Sequence, residues 1–175
     1  EAIRRGIVLY AAHTNLDSAP HGMSWRVAEM LGLENLEVLQ STNDSGAGFG
    51  VVGDLACAVP SEEYMRRVME CFGVKALRHS DIVKSEVARV AVCTGAGASL
   101  IDVARASGAD LYLTADLKYN DFMRHENRII LADMGHFESE YCAIQILFDI
   151  LSKNLCIFAV RKSVCSRNPV NYMTR

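Results

Sequence analysis

The sequence predicts an α/β protein of three layers, α/β/α, with helices on both faces of a mostly parallel sheet. Strand-like and helix-like segments alternate along the 175 residues, as is typical of parallel strands joined by crossover helices. Several strand-like segments are short continuous apolar runs, which indicates strands covered on both faces. Half of the residues are hydrophobic and 22% are charged, so the chain can bury a substantial core. We therefore expect a single α/β domain over residues 1–175.

The first half of the chain is predicted to contain three strands and two helices, followed by a less regular stretch. The first helix has Val27 and Leu31 at helical spacing. The second helix begins with acidic residues, which suit a helix N-terminus, and ends at Gly73, a typical stop residue. A short strand is expected near residues 76–77. The predicted strands cover residues 6–12, 36–40 and 49–59, and the predicted helices cover residues 22–31 and 61–73.

The second half of the chain resumes a regular alternation of strand and helix. Its apolar runs are short, and each but the last is followed by a polar or glycine-rich segment that leads into a helix. The predicted strands cover residues 87–93, 110–114, 128–132 and 156–160, and the predicted helices cover residues 97–107, 119–125 and 136–153.

The residues that directly follow the predicted strands are the first place to look for chemistry, because ligands in open α/β sheets bind beyond the carboxyl ends of the strands. Four such segments are polar or rich in glycine. The candidate residues are His13 and Asp17 after the first strand, Gly95 and Gly97 after the fourth, Asp116 and Lys118 after the fifth, and His136, Glu138 and Glu140 after the sixth.

A metal site is the most specific of the predicted features. His136 and Glu140 are four residues apart at the start of a predicted helix, so both lie on one face. Asp17 adds a second carboxylate from another strand end, and such a donor set suits Zn, Mn, Fe or a similar ion. Taken separately, each segment also fits a simpler explanation: a turn or helix cap at residues 13–17, and a surface contact for the His–Glu pair.

The other two segments leave their alternatives open. Gly95 and Gly97 could let the backbone approach a phosphate group, or could form a tight strand-to-helix turn. They do not complete a P-loop or a dinucleotide-binding motif. Asp116 and Lys118 could be an acid–base pair, a substrate clamp or a surface salt bridge.

The composition excludes several classes of function. No apolar run reaches the roughly 20 residues that span a bilayer, and no membrane association is expected. The net charge is −3, without a basic stripe, so nucleic acid is an unlikely partner. The six cysteines form no C-x-x-C pair. Several of them, such as Cys57 and Cys156, lie in apolar runs, which favours buried free thiols in a reducing compartment.

The motifs resemble those of the Nif-three-like family, also catalogued as domain of unknown function thirty-four, whose members often carry the name GTP cyclohydrolase one type two homologue. The segment AAHTNLDSAPHGMSWRVAEMLGL resembles the family's S-H-T-N-x-D-x-A-P-x-G-x-N motif. TGAGASLIDVARASGADLYLTADLKYND resembles its glycine turn followed by G-A-D-x-x-x-T-G-D-x-K-Y-H-D. ILADMGHFESE resembles its D-x-G-H-x-x-T/S-E motif, and RNPVNYM resembles its closing N-P motif.

The resemblance implies a Nif-three-like fold, a dinuclear centre of divalent metal ions, a cytoplasmic protein and a ring-shaped homohexamer. The family's metal-ligating Asp, His and Glu match Asp17, His136 and Glu140. Motif positions that line the same cleft match His13, Asp116 and Lys118.

The sequence departs from the family pattern in several places. The family supplies two further histidine ligands from an adjacent His-His pair in its first half, and this sequence has no such pair. The chain starts with Glu1 and already reads as a buried strand at Gly6. We therefore expect it to be the C-terminal part of a longer protein. Asn120 stands where many members have histidine, and Ala96 and Ala98 lie in a turn that is usually rich in glycine and serine.

Two classes of function follow from these observations. The first is a metal-dependent hydrolase that acts on a nucleotide or related small molecule, with His13 or Glu138 moving protons and Asp116, Lys118, Gly95 and Gly97 holding substrate. The second is a non-catalytic metal-binding scaffold or regulatory ring.

Overall fold

A computed structural model describes residues 1–43 and 45–173 of the chain. It contains a six-stranded sheet whose spatial order is β1-β2-β4-β5-β6-β3. The strands are β1 Glu34–Ser41, β2 Gly48–Pro60, β3 Arg78–His79, β4 Glu86–Ala96, β5 Leu111–Ala115 and β6 Ile130–Asp133. The α-helices are α1 Thr14–Ser18, α2 Met23–Met30, α3 Ser61–Phe72, α4 Ile101–Ala106, α5 Tyr119–Phe122, α6 His136–Glu140 and α7 Ala143–Asn154.

The sheet is mixed, and the prediction that it would be mostly parallel is wrong. Among the strand pairs of the described residues, only β4–β5 and β5–β6 are parallel, with Val92 beside Leu113 and Leu113 beside Ala132. The pairs β1–β2, β2–β4 and β3–β6 are antiparallel. Strands β1 and β2 are joined by residues 42–47, and so short a connection cannot cross over the sheet as a parallel pairing requires.

Both faces of the sheet are covered, which confirms the α/β class and the three layers. Leu111 and Leu113 of β5 pack in a core that α2 and α3 complete with residues such as Val27 and Val68. Tyr112 faces the opposite way and packs in a second core with residues of α4. Because side chains alternate along a strand, β5 is buried on both faces, as its continuous apolar sequence predicted.

The central elements follow the sequence pattern closely. The helices α2 and α3 and the strands β1, β2, β5 and β6 lie within a few residues of their predicted bounds. Helix α3 ends at Gly73, which adopts a left-handed φ of 65° and donates its backbone N–H to the Met69 carbonyl. This is the stop that a glycine at that position predicts.

The two terminal strand predictions are wrong. Residues 7–10 form neither helix nor strand, and Val8, Leu9 and Tyr10 are exposed. Residues 156–160 also form no strand, and Ile157 and Phe158 are exposed. A strand requires a neighbour for its backbone groups, and neither segment pairs with another part of the described chain.

Three further boundaries differ from the prediction. The short strand lies at Arg78–His79 rather than at residues 76–77. Strand β4 continues to Ala96, so Gly95 lies inside the strand rather than in the turn. The helix expected over residues 136–153 is two helices, α6 and α7. Hydrogen bonds from Ile144 to Tyr141 and from Gln145 to Cys142 span three residues, and this tighter turn separates the two helices.

The cysteines are free, as predicted, but most are not buried. Cys93 is buried and Cys142 is partly buried, while the other four are exposed. Cys57 lies in β2 between Asp54 and Val59, where the pairing with β4 is interrupted, and it is exposed together with Ala56 and Ala58. Of the helices in the described residues, none combines the length and apolarity needed to cross a membrane.

Candidate functional site

Two cavities lie side by side and share the His136 and Glu140 side chains. The first, named here the Asp17 cavity, has a volume of about 630 Å³ and is lined by the last residues of β4, by α1 and by α6. The second, named the Glu138 cavity, has a volume of about 820 Å³. The candidate residues on the Asp17 cavity are His13, Asp17, Gly95, His136 and Glu140.

His136 is held between two carboxylates. Its Nδ1 lies 2.7 Å from Oδ2 of Asp116, and its Nε2 lies 3.2 Å from Oε1 of Glu140. Since an ionised carboxylate only accepts hydrogen bonds, Nδ1 carries the proton that is donated to Asp116. That leaves Nε2 facing a second acceptor on Glu140. Unless this nitrogen is also protonated, the two atoms offer lone pairs to the same point.

The carboxyl groups of the Asp17 cavity raise the energy of a negative charge there. Burial and then the nearby charge of Glu140 raise the pKa of Asp17, while His13 and His136 partly oppose the shift. Burial lowers the pKa of His136, but the hydrogen bond to Asp116 and the charge of Glu140 outweigh it, so the net pKa lies above the usual value. No arginine or lysine of the described chain lines this cavity.

Gly95 makes room for Glu140. A Cβ atom at this position would lie 2.5 Å from Oε1 of Glu140, and the glycine φ of 65° is one that other residues rarely adopt. Its backbone N–H donates to the Ser139 hydroxyl at 2.9 Å. The N–H is therefore already used inside the protein and is not free to hold a phosphate group.

Gly97 serves the packing of the strand ends. Its carbonyl accepts a hydrogen bond of 2.8 Å from the Tyr112 hydroxyl. A Cβ atom there would collide with the hydroxyl groups of Tyr112 and Thr114. Helix α4, which follows Gly97 after a turn, has only six residues. Close packing at the end of β4 accounts for the contacts of both glycines, and a phosphate cradle does not.

Four of the predicted site residues do not line the Asp17 cavity. Asp116 lines the Glu138 cavity, and Gly97 lines neither of the two. Lys118 is exposed at the start of α5 and lines neither of the two cavities. Glu138 faces the Glu138 cavity instead, where its Oε1 accepts a hydrogen bond of 2.8 Å from the Asn168 amide. Residues 136, 138 and 140 follow one another around a helix, so Glu138 points away from the face that His136 and Glu140 share.

Cys93 also lines the Asp17 cavity. Burial raises the pKa of its thiol to about 11, so the group is neutral at physiological pH. A neutral thiol is a weak metal ligand, which leaves the Asp17 and Glu140 carboxylates and the His136 imidazole as the best donors. Within residues 1–43 and 45–173, no three His, Cys, Asp or Glu side chains are clustered closely enough to hold an ion without rearrangement.

No sequence pattern indicated the contact between Asp116 and His136. Asp116 has a φ of 56°, and His13, on the Asp17 cavity, has a φ of 46°. Few non-glycine residues adopt such angles, and those that do often lie at functional sites. Aspartate tolerates this conformation better than most residues, so its occurrence after β5 was compatible with the turn but did not reveal its partner.

The chain is similar in sequence to a known protein family and to named relatives. The sequence model of the family described as Duf34/NIF3 (NGG1p interacting factor 3) matches residues 1–169. A Clostridium perfringens protein named GTP cyclohydrolase 1 type 2 homolog is 33% identical over 141 residues, which cover 79% of this chain and 54% of that protein. The chain spans about half the length of the first curated relatives it matches.

Solved structures share the fold. The crystal structure of the Staphylococcus aureus hypothetical protein SA1388 superimposes with a TM-score of 0.86 at 21% identity, over 98% of this chain and 70% of that one. A Bacillus cereus protein related to NIF3 superimposes with a TM-score of 0.85 at 18% identity, over 98% of this chain and 75% of that one. At this level of identity the likeness concerns the arrangement of the backbone.

Proposed function

Because this chain belongs to the Duf34/NIF3 family, we propose that it binds divalent metal ions through Asp17, His136 and Glu140 and hydrolyses a nucleotide or related small molecule. One observation carries the proposal: Nε2 of His136 faces Oε1 of Glu140 at 3.2 Å while Nδ1 is held by Asp116. With Nε2 unprotonated, a cation between the two lone pairs would replace an unfavourable contact by two bonds.

The spacing of these donors suits a shared ion. Two ligands at about 2.1 Å from a tetrahedral zinc ion are roughly 3.4 Å apart, close to the 3.2 Å between the His136 and Glu140 atoms. The same distance also fits a His–Glu hydrogen bond, so the orientation of the ring matters more than the distance. Ligating histidines usually donate their other N–H to a carboxylate, which is the contact that Asp116 makes.

The charge balance supports the same proposal. Asp17 and Glu140 line one cavity without a lysine or arginine from the described chain, and the charge of Glu140 disfavours the ionised form of Asp17. A divalent cation would neutralise both. Three protein donors leave coordination positions open, and the second ion that the family resemblance implies would need ligands beyond these three.

The chemistry divides among the residues as follows. A bound divalent cation supplies Lewis-acid activation of water near neutral pH. His13, exposed at the rim of the Asp17 cavity, is the residue that would exchange protons with the substrate. Asp116 accepts a hydrogen bond from Nδ1 of His136 and so orients the ring. This role explains the position of Asp116 better than the substrate contact predicted from sequence. The nucleotide class rests on the name GTP cyclohydrolase 1 type 2 homolog carried by the relatives, and a cytoplasmic homohexamer is part of the same proposal.

Elemental analysis of the purified protein, followed by turnover assays, tests this function. We expect zinc, iron or manganese at one or more equivalents per chain, and metal-dependent loss of GTP or a related nucleotide. Protein that holds less than a tenth of an equivalent after incubation with each metal would overturn the metal site. Metal-loaded protein that leaves every nucleotide intact would overturn only the hydrolase.

A non-catalytic metal-binding protein is the second candidate. One observation favours it: no lysine or arginine of the described residues lines the Asp17 cavity, Lys118 lies outside both cavities, and the Gly95 N–H is occupied. A triphosphate would find few groups to neutralise it there. Tight metal binding combined with no turnover in the assay above would select this candidate.

Replacing Asp116 by asparagine tests how the His136 ring is oriented. Asparagine tolerates the left-handed backbone of this position but removes the carboxylate that accepts from Nδ1. We expect metal affinity to fall about tenfold, as for other residues that orient a ligand, with thermal stability unchanged. The measurement is competition with a fluorescent chelator, and NMR of the His136 nitrogens reports the tautomer.

Asp81→Asn, at a side chain that is 88% exposed, is the matched control and should bind metal as the wild type does. Equal affinity in the two variants would contradict the assignment.

A further inference from the structure

The Glu138 cavity contains a buried carboxylate that has no cationic partner among the described residues. Glu138 is 9% exposed and forms no ion pair with any residue of the described chain. Its Oε1 accepts one hydrogen bond, from Asn168, and its Oε2 accepts none from the described residues. A buried charge left without compensation is costly. A ligand that offers N–H donors to this carboxylate would recover that cost.

The other polar groups of the cavity do not compensate Glu138. Arg78 lies in the same cavity, but it pairs with the Asp133 carboxylate and donates to the Leu117 carbonyl at 3.0 Å. Within residues 1–43 and 45–173, the acidic residues on this cavity are Asp116, Asp133, Glu138 and Glu140, and Arg78 is the one arginine or lysine. Such a lining repels phosphate and favours a neutral or cationic donor of hydrogen bonds.

The volume and the aromatic lining suit a planar ligand. The volume of about 820 Å³ lies within the usual range of small-molecule sites. Phe137 and Tyr141 line the cavity, with their ring centroids 5.0 Å apart. Aromatic side chains of this kind accept a flat ring against a face or an edge. His136 and Glu140 form the wall shared with the Asp17 cavity.

We propose that the Glu138 cavity binds the planar part of a substrate that presents two parallel N–H donors to the Glu138 carboxylate. A carboxylate accepts such a pair through its two oxygens. A 2-amino nitrogen heterocycle and a guanidinium group both carry this pattern, and the aromatic wall makes the heterocycle the favoured source. This inference rests on the proposed function, because it assigns the recognition group of the substrate to the compartment beside the metal-binding residues.

Titration with small probes tests the assignment. Guanosine presents N1–H and a 2-amino group on one edge, inosine lacks the amino group, and methylguanidinium supplies the cationic version. Isothermal titration of the full chain, before and after treatment with chelator, is expected to give saturable guanosine binding, at least about tenfold tighter than that of inosine. Glu138→Gln should weaken guanosine about tenfold or more. Glu70→Gln, at an exposed position of α3, is the matched control and should change it less than twofold.

A second variant separates ligand recognition from folding. Asn168→Ala removes the partner of Oε1 but keeps the carboxylate. If Glu138 contacts the ligand, guanosine binding persists in this variant. If Glu138 only anchors the segment around Asn168, binding is lost in both variants and the proposal is overturned. It is also overturned if neither guanosine nor methylguanidinium saturates the wild-type protein, or if Glu138→Gln binds as tightly as wild type. Saturation by methylguanidinium alone, lost in Glu138→Gln, supports the donor pattern and assigns it to a guanidinium group.

The test is independent of the metal site. Guanosine binding to chelator-treated protein does not require a cation, and Glu138→Gln is expected to keep the metal content of the wild type. If the protein binds no metal, the proposed function is overturned. The guanosine titration then still tests whether the Glu138 cavity binds the ligand.

Discussion

Replacing His136 by alanine is expected to lower the affinity for divalent metal at least about 100-fold, more than the tenfold to hundredfold typical for loss of a residue that merely orients a ligand. The change removes the only nitrogen donor among the three proposed ligands and leaves the Asp17 and Glu140 carboxylates as the remaining two. Because the His136 side chain is 48% exposed, its loss leaves no cavity in the core, so unfolding free energy should change by less than about 1 kcal/mol.

The measurement is the metal content after dialysis, combined with chelator competition. His79→Ala is the matched control, since His79 is exposed in β3 and lines neither cavity. Glu140→Gln should act in the same direction as His136→Ala, because it removes the charge but keeps the shape. A His136→Ala protein that retains the wild-type metal content would exclude this site as the metal centre.

Replacing Gly97 by alanine is expected to destabilise the fold by about 3 kcal/mol, the upper range for overpacking of a tight core. The φ of Gly97 is −102°, which alanine adopts without strain. The added methyl group would collide with the Tyr112 and Thr114 hydroxyls, both fully buried, and would lie 3.0 Å from Cβ of Cys93. Relief of the collision would displace Tyr112 from its hydrogen bond to the Gly97 carbonyl.

Urea denaturation measures this effect, and Gly73→Ala is the informative control. Gly73 has a left-handed φ of 65° but nothing within 4 Å of an added Cβ atom, so its substitution costs only backbone strain of about 1 kcal/mol. The comparison separates crowding from conformation. Gly97→Ala with a stability at or above that of Gly73→Ala would contradict the packing explanation and would return Gly97 to the residues considered for substrate binding.

The periodic segments could be predicted because their signals are local. In helix α3, Glu62 and Glu63 mark the N-terminus and Gly73 marks the C-terminus. Each of these residues interacts with the nearest turn of the helix backbone. The continuous run of mainly apolar residues in strand β5 indicates that both faces of the strand are buried. The terminal apolar runs carry the same local signal, yet Val8 and Ile157 are exposed. Apolar character indicates what a segment can bury, but not whether a partner is present.

The site divides in the same way. Helical geometry alone predicts that His136 and Glu140 share a face, and the family motifs identify Asp17. The three proposed ligands were therefore identified from sequence. The position of Asp116 on Nδ1 of His136 depends on how two neighbouring strand ends are aligned. The separation of Glu138 into a second cavity depends on the helix rotation and on the distant Asn168.

The sequence by itself determined the α/β class, most internal helices and strands, and the side chains able to bind a cation, because propensity, periodicity and donor chemistry belong to single residues and their near neighbours. Only the tertiary structure decided that the sheet is mixed, that Gly95 and Gly97 serve close packing, and that the cleft has two compartments. Those features depend on distances between residues far apart in the chain, and such distances arise only when the layers pack together.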